Sequence, residues 1–416
     1  MKTIRFLLLC SILTFLVFSC SKKDTTRYER ITAKEIRIGA MLPLTGDAYS
    51  SGECSETALD LALQDITRYF ESAGIDETLV LDIVDTRTDT AEALKQLKSF
   101  YQKGVRLIVG PYSSAELTHI KSFADTHEML IVSPSSVAVS LALPDDNIFR
   151  FVSPDVIQGK AMSKMLSEDK IRVIVPIIRN DLWGNDLVAA TSADFAKTDG
   201  QVLPAVKFTP GTVDFSDVME QLDTAVAVEL EHHNPNEVAV YLLSFAEGAT
   251  IIAEAKKYTH LNNVYWYGGS GFAQNGSILN DTTAALFAYS HGLPCPAFGL
   301  DDAAIDKWQP LKERIESRIG RNPDVYSFTA YDALWVLVRT YRAAGDDPSM
   351  ATLKYIFVNE ADNYFGVSGN TLLDLNGDRA VGNYDFWAVK SDSTGYRWKN
   401  VARYNSLSGT LTRLFK

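Results

Sequence analysis

The sequence predicts an α/β protein built as two successive doubly wound, Rossmann-like halves. Three observations lead there. Short apolar, β-branched runs alternate with stretches whose apolar residues recur at helical spacing. The strand runs are apolar on both faces, as in parallel sheets covered by helices. The alternation is completed twice, with the change near Arg150–Pro154. A chain of 416 residues is also too long for one ordinary core.

In the first set, Glu35–Leu42 is a strand stopped by Pro43, and Leu44–Asp47 is a turn. From Ser55, Ala58, Leu59, Ala62, Leu63 and Ile66 mark a helix that ends at Gly74. Leu79–Asp85 is the second strand. Thr90 caps a helix carrying Ala93, Leu94, Leu97 and Phe100, which stops at Gly104. Val105–Gly110 is the third strand, and Ser113 and Ser114 start the helix that follows it. Met129–Ser133 and Asn147–Val152 are the fourth and fifth strands.

The second set opens with a helix from Asp155 to Glu168 and a strand at Ile171–Ile178. A helix, a strand at Val202–Phe208 and a helix around Val218–Val228 follow. Then come a strand at Glu237–Leu243, a helix at Ala246–Tyr258 and a strand at Val264–Tyr267. Leu286–Ser290 reads as a further strand, and Ile305–Ile319 and Ser327–Ala344 as long helices. Beyond Gly366 the pattern is strand and hairpin, with Asn376-Gly377 a hairpin turn.

Acidic residues outnumber basic ones 52 to 40, a net charge of -12, which argues against nucleic acid as a partner. The 6 His and 4 Cys are scattered, which argues against a metal-rich or disulfide-framework protein. Spacing alone leaves open whether Cys54 and Cys295 pair. Enzyme motifs fail on inspection. Gly268-Gly269-Ser270-Gly271-Phe272 lacks the second glycine of a nucleophile elbow. The same stretch has Gln274 where a dinucleotide fingerprint needs glycine, and there is no phosphate-binding P-loop, so no cofactor is expected. Asp374, Asn376 and Asp378 alternate as in a calcium loop, but Arg379 occupies the glycine position.

What remains are hydroxyl-rich loops at the carboxyl ends of strands, where open α/β sheets bind ligands. Leu44–Gly52, with Ser51, follows the first strand. Pro111–Ser114 follows the third, and Ser133–Ser136, with Ser135, follows the fourth. Hydroxyls and free N–H groups at helix starts form an anion site without a metal. Ser114 and Ser136 are therefore expected to anchor an anionic group, the competing reading being that each is only a helix cap.

The N-terminus has Lys2 and Arg5, then an apolar run from Phe6 to Phe18 that is short for a membrane span. It ends in Ser19-Cys20 and resembles the lipobox of bacterial lipoproteins. That resemblance implies a signal peptide over residues 1–19, a lipid-carrying Cys20 and a polar tether over 20–34. The folded body is then held at the inner or outer membrane, on the periplasmic side of the envelope.

Three further segments carry a second resemblance: Ile38-Gly39-Ala40-Met41-Leu42-Pro43-Leu44-Thr45-Gly46, Leu107-Ile108-Val109-Gly110-Pro111 and Ile131-Val132-Ser133-Pro134. In this order they resemble the type I periplasmic binding proteins, closest to the leucine/isoleucine/valine-binding type that serves ABC importers. The family implies two α/β lobes joined by three chain crossings, with a small polar ligand closed between them for delivery to a permease. The lobes would comprise 35–151 with 292–366, and 152–291 with 367–416. The crossings would fall near Arg150–Pro154, Tyr289–Pro294 and Gly366–Leu372.

The family also implies that Ser114 holds a ligand carboxylate with help from Ser135 and Ser136, and that Trp183 and Phe245 pack on the ligand. Ser270 stands where the family commonly places an acidic partner for the ligand ammonium, which leaves Asp181 or Glu247 as alternatives. Trp266 is expected near the cleft. A ligand sensor or a regulator of envelope enzymes on the same fold is the alternative to transport.

Overall fold

The computed structural model describes residues 34–393 and 395–414. The expected signal segment, lipidated Cys20 and most of the tether lie outside the described residues.

Strand β1 (Lys34–Leu42) leads into helix α1 (Tyr49–Ala73). The helix starts well before Ser55, although Ser50, Ser51 and Gly52 are weak helix formers, because its first turns pack on the end of β1. A Cβ at Gly52 would lie 2.1 Å from the Pro43 carbonyl oxygen, so only glycine allows the approach. Gly74 ends the helix in the left-handed conformation, φ 64°.

Next come β2 (Glu77–Asp85), α2 (Thr90–Gln102), β3 (Leu107–Val109), α3 (Ser114–Thr126), β4 (Leu130–Ser133) and β5 (Ile148–Arg150). The cap of α2 is Asp89, which accepts from the Glu92 N–H, so Thr90 is the first helical residue rather than the cap. The sheet runs β2-β1-β3-β4-β5. Its strands feed two cores alternately. Leu107, Val109, Leu130 and Val132 pack with α1 on one face, and Ile108 and Ile131 pack with Ala93, Leu97 and Leu117 on the other.

The second half holds α4 (Asp155–Glu168), β6 (Val173–Arg179), α5 (Leu182–Phe195), β7 (Gln201–Val202) and β8 (Val206–Phe208). It continues with α6 (Ser216–Leu230), β9 (Val238–Leu243), α7 (Gly248–Ala255) and β10 (Tyr265–Gly268). The predicted strand at 202–208 is two short strands. Both pair parallel with β6, as does β9. The sheet order is β10-β9-β6-β7.

After α8 (Gly276–Asn280), the segment containing Leu286–Ser290 is helix α9 (Thr282–His291), not a strand. Asp281 caps it by accepting from the Thr283 and Ala284 N–H groups, and the apolar run buries Ala284, Ala285, Phe287 and Ala288 on its inner side. β11 (Cys295–Gly299) precedes α10 (Ile305–Ile319), α11 (Tyr326–Ala344) and α12 (Met350–Asp362). Sequence reasoning missed α12, whose signal is Leu353, Phe357 and Ala361 at four-residue spacing behind the Ser349 cap. A small hairpin, β12 (Phe365–Gly366) and β13 (Gly369–Asn370), leads on to β14 (Asn383–Asp392), β15 (Gly395–Asn405) and β16 (Thr410–Arg413). These last three form an antiparallel sheet with β11.

Helices α10, α11 and α12 pack on the first sheet's core, whereas β11 and β14–β16 pack on the second half. The chain therefore passes between the halves at Arg150–Asp155, at Gly299–Ile305 and between Asn370 and Asn383. The second passage lies later than Tyr289–Pro294, because Cys295–Gly299 is a strand bound to β14. The third lies later than Gly366–Leu372, because two buried groups hold the chain to the first half. Asp332 of α11 accepts from the Val367 and Ser368 N–H groups, and Asp378 makes a two-pronged ion pair with Arg150 at the end of β5.

Candidate functional site

The carboxyl ends of the two sheets face each other across a cleft. Tyr112, Ser113, Ser114, Ser135 and Val137 line it from the first half, Trp183, Phe245, Ser270 and Gly271 from the second, and Tyr326 from the start of α11. The halves touch around it. The Ala246 N–H donates to the Asp47 carbonyl at 3.0 Å, the Gly276 N–H to Ser50 Oγ at 2.8 Å, and Ser140 Oγ to Asp186 at 2.7 Å. The cavity left between them is about 20 Å³, room for about one water.

The first side of the cleft is a web of serines. Ser113 caps α3 in a capping box with Glu116, so Ser114 is the first helical residue. Ser114 Oγ accepts from Ser136 Oγ at 2.9 Å and from the Ala138 N–H at 3.2 Å, which leaves its own proton to donate. Ser133 Oγ donates to the Pro111 carbonyl and Ser135 Oγ to the Tyr112 carbonyl, both at 2.7 Å, tying the two loops together. Ser136 does not start a helix. The turn after it is a short 3₁₀ segment at Val139–Leu141 entered from Ala138, and the Ser136 N–H is used by Ser133 Oγ. Ser51 lies one layer back, where it accepts from the Tyr112 hydroxyl at 3.0 Å.

The second side is aromatic. Trp183 stacks on Phe245 with centroids 5.1 Å apart and planes 17° from parallel. Tyr112 meets the Phe245 ring at 6.3 Å and the Tyr326 ring at 5.8 Å, both edge to face. The Gly269-Ser270-Gly271 run, which imitates catalytic motifs in sequence, is a packing device. A Cβ on Gly271 would stand 2.5 Å from Phe245 and 2.8 Å from Trp183. Ser270 and Tyr326 line the cavity together. Trp266 is not at the site. Its indole N–H donates to the Leu261 carbonyl and its ring packs on Phe287 in the core.

Charge gathers behind the stack. Arg179, at the end of β6, contacts Asp181 at 2.7 Å, Glu247 at 2.9 Å and, across the cleft, Asp47 at 2.6 Å. Asp181 and Glu247, the alternatives for an ammonium partner, are thus both engaged by one guanidinium. Burial pushes the Glu247 carboxyl up, against the pull of Arg179. At the start of α4, Asp155 is fully buried, and neither carboxylate oxygen has a hydrogen-bond partner among the described residues. Burial holds its pKa well above the usual range. Its main-chain N–H donates to the Val137 carbonyl, one step behind the cavity wall.

Sequence reasoning missed Tyr112, Tyr326, Arg179 and Asp155. Tyr112 adjoins Ser113-Ser114 in the loop already singled out, which was a usable signal; the others become neighbours only through the fold. Cys54 and Cys295 are separate buried thiols. Burial pushes the Cys54 thiol up to about 12. Among the described residues no cluster of three or more His, Cys, Asp or Glu could hold a metal ion, and no helix is long and apolar enough to cross a membrane.

Two α/β halves closing on a cleft of hydroxyls and aromatic rings define a two-lobed binding protein for small molecules. The family model described as "Periplasmic binding protein" matches residues 35–394, and the chain belongs to that family. A Leu/Ile/Val-binding protein of Rhizobium johnstonii is 24% identical over 300 residues, 68% of this chain and 79% of that one. Among solved structures, the leucine-binding protein of Thermotoga maritima superposes with a TM-score of 0.72 at 20% identity, covering 91% of this chain and 99% of that one. A solute-binding protein of an ABC transporter from Rhodopseudomonas palustris, in complex with 3,4-dihydroxybenzoic acid, gives 0.70 at 13% identity, covering 89% and 98%.

Proposed function

We propose that the protein is a lipid-anchored, extracytoplasmic solute-binding protein that captures a small polar ligand bearing a carboxylate and presents it to an ABC importer. The carboxylate would be held by the Ser114 hydroxyl at the start of α3, which Ser136 orients, while Ser135 ties the adjoining loop in place. The observation that carries this reading is Ser114 Oγ, which takes two hydrogen bonds and keeps its own proton for a ligand at the cavity wall. The helix N-terminus adds a field that favours negative charge. Trp183 and Phe245 would cover the apolar part of the ligand. Two of the similar proteins are a leucine-binding protein and one in complex with 3,4-dihydroxybenzoic acid, both carboxylates, which agrees with an anion on the serine side.

The test is thermal unfolding with leucine, isoleucine, valine and 3,4-dihydroxybenzoate, on the wild type and on Ser114→Ala. A ligand at a hundredfold excess over Kd stabilises by about 2.7 kcal/mol. At least one of these compounds should raise the melting temperature of the wild type, and Ser114→Ala should lose most of that rise. A rise that survives unchanged in Ser114→Ala contradicts the assignment. Anchoring is read separately: Cys20→Ala should release the processed protein from membranes.

A further inference from the structure

Arg179 is 3% exposed, and its guanidinium serves three separate loops. One nitrogen, Nη1, reaches Asp47 in the β1–α1 loop of the first half and also Glu247, which follows Phe245. Nε reaches Asp181, the cap of the helix that carries Trp183. Both of these second-half acids also bind the aromatic loops, although Glu247 does so with the same Oε1 that meets Arg179, its Oε2 being buried without a partner among the described residues. Asp181 accepts from the Gly184 N–H at 3.0 Å, and Glu247 accepts from the Phe245 N–H at 3.2 Å. The guanidinium carbon itself lies 4.8 Å from the centre of the Phe245 ring. The loop bearing Phe245 is also the one whose Ala246 N–H binds the Asp47 carbonyl across the cleft.

We propose that Arg179 is a positioning residue that sets the aromatic wall of the cleft and, with the same guanidinium, clamps the opposite half onto it. Through Asp181 and Glu247 it fixes the Trp183–Phe245 stack, and through Asp47 it clamps the opposite half onto that same stack. A planar, forked cation is suited to this, because it contacts several carboxylates in one plane while lying against a ring. Opening the cleft removes Asp47 and leaves the other two contacts within the second half, so the wall stays set while the clamp is released. The inference rests on the binding reading and deepens it by naming what holds the site closed.

The test is site-resolved hydrogen exchange on the full chain without ligand, in Arg179→Met and in Asp47→Asn. Arg179→Met should speed exchange at the Gly184, Phe245 and Ala246 N–H groups, each by about tenfold or more. Asp47→Asn should speed Ala246 alone. Unchanged exchange at Gly184 and Phe245 in Arg179→Met overturns the positioning role, and unchanged exchange at Ala246 in Asp47→Asn overturns the clamp. Strand β9 reports folding. If Arg179→Met loses protection there, Glu247→Gln takes its place and should speed Phe245 and leave β9 protected; unchanged Phe245 exchange in that variant overturns the positioning role.

A second arm uses leucine as the probe, or 3,4-dihydroxybenzoate if only that stabilises the wild type. Asp47→Asn should raise the dissociation rate several-fold and leave association nearly unchanged, as expected for a contact made after encounter. An unchanged dissociation rate counts against the clamp. If neither compound binds, the solute reading fails on its own, and the exchange arm still decides the role of Arg179.

Discussion

The two sides of the cleft are built from different forces. The serine side is held by short hydrogen bonds between neutral groups: Ser133 to Pro111, Ser135 to Tyr112, Ser136 to Ser114. Its charged support lies one layer below, where Arg150 binds the Ala138 carbonyl at 2.7 Å and pairs with Asp378. The aromatic side is held directly by charge, with one guanidinium against three carboxylates behind the Trp183–Phe245 stack. A neutral web presents donors whose geometry depends little on salt or pH. The charged cluster behind the stack loses its Asp47 contact when the halves separate. The side expected to recognise the ligand is thus held within one half, whereas the side expected to enclose it also carries a contact between the halves.

The largest effect should come from breaking the support under the serine side. Arg150 is fully buried, and Asp378 supplies the carboxylate that offsets its charge. Removing one partner of such a pair leaves a charge without compensation, at about 3–5 kcal/mol. Asp378→Ala is expected to lose that much stability in urea unfolding. Asp47→Asn, whose side chain is partly exposed, should lose far less. Equal losses would mean that the two sides do not differ in the way described.

Next comes pH. Asp324, beneath Tyr112 and Tyr326, is pushed up to about 6 by burial, against hydrogen bonds from Ser51 and from the Ser327 and Tyr326 N–H groups and the pull of Arg321. Unfolded aspartate titrates near about 3.9. Between these values the folded state binds more protons, so this residue makes stability fall as pH rises from about 4 to about 6, and the penalty is complete above that. The full penalty is about 3 kcal/mol at 1.36 kcal/mol per pH unit. Other buried carboxyls, Asp155 and Glu116 among them, also have raised values, so the difference between wild type and Asp324→Asn is the informative quantity. The variant should show a shallower decline of melting temperature over that window. Parallel curves would remove Asp324 from the account.

Much of this was legible in the sequence. The halves, their order and most strands follow from apolar runs and helical spacing, because parallel strands buried on both faces give short β-branched apolar runs between turn residues. Helices α4 and α10 fall on the expected residues, since Asp155 and Gly320 mark their ends plainly. Leu286–Ser290 misled because a buried helix and a buried strand are both short apolar runs, and Asp281 was the deciding cap. On the serine side, Ser114, Ser135 and Ser136 lie near one another because each sits in a short loop after a strand end. The aromatic side was legible only in part. Trp183 and Phe245 meet there, but the pairing of Asp47, Arg179 and Glu247 joins three loops distant in sequence, and no local pattern announces it. The same holds for Arg150 and Asp378, which are brought together by the last passage of the chain between the halves.

The smallest expected effect separates two adjacent serines. Ser113 is the helix cap: its Oγ accepts from the Glu116 N–H, and the Glu116 carboxyl accepts in return from the Ser113 N–H. Ser114 makes no cap contact, and its Oγ instead joins the Ser136 loop at the cavity wall. A lost cap costs about 1 kcal/mol of stability. A lost hydrogen bond to a charged ligand group costs roughly 1.5–3 kcal/mol, or roughly 10- to 150-fold in affinity. Ser113→Ala should therefore lower the melting temperature by a few degrees and leave affinity within about twofold. Ser114→Ala should weaken affinity by roughly 10- to 150-fold, and it also lowers the melting temperature because the Ser136 hydroxyl and the Ala138 N–H lose their acceptor. Titration calorimetry on the two variants therefore separates the two roles, with thermal unfolding as the control for stability. If Ser113→Ala weakens binding as much as Ser114→Ala does, the anion is held by the helix start as a unit, and the division of labour between the two hydroxyls is wrong.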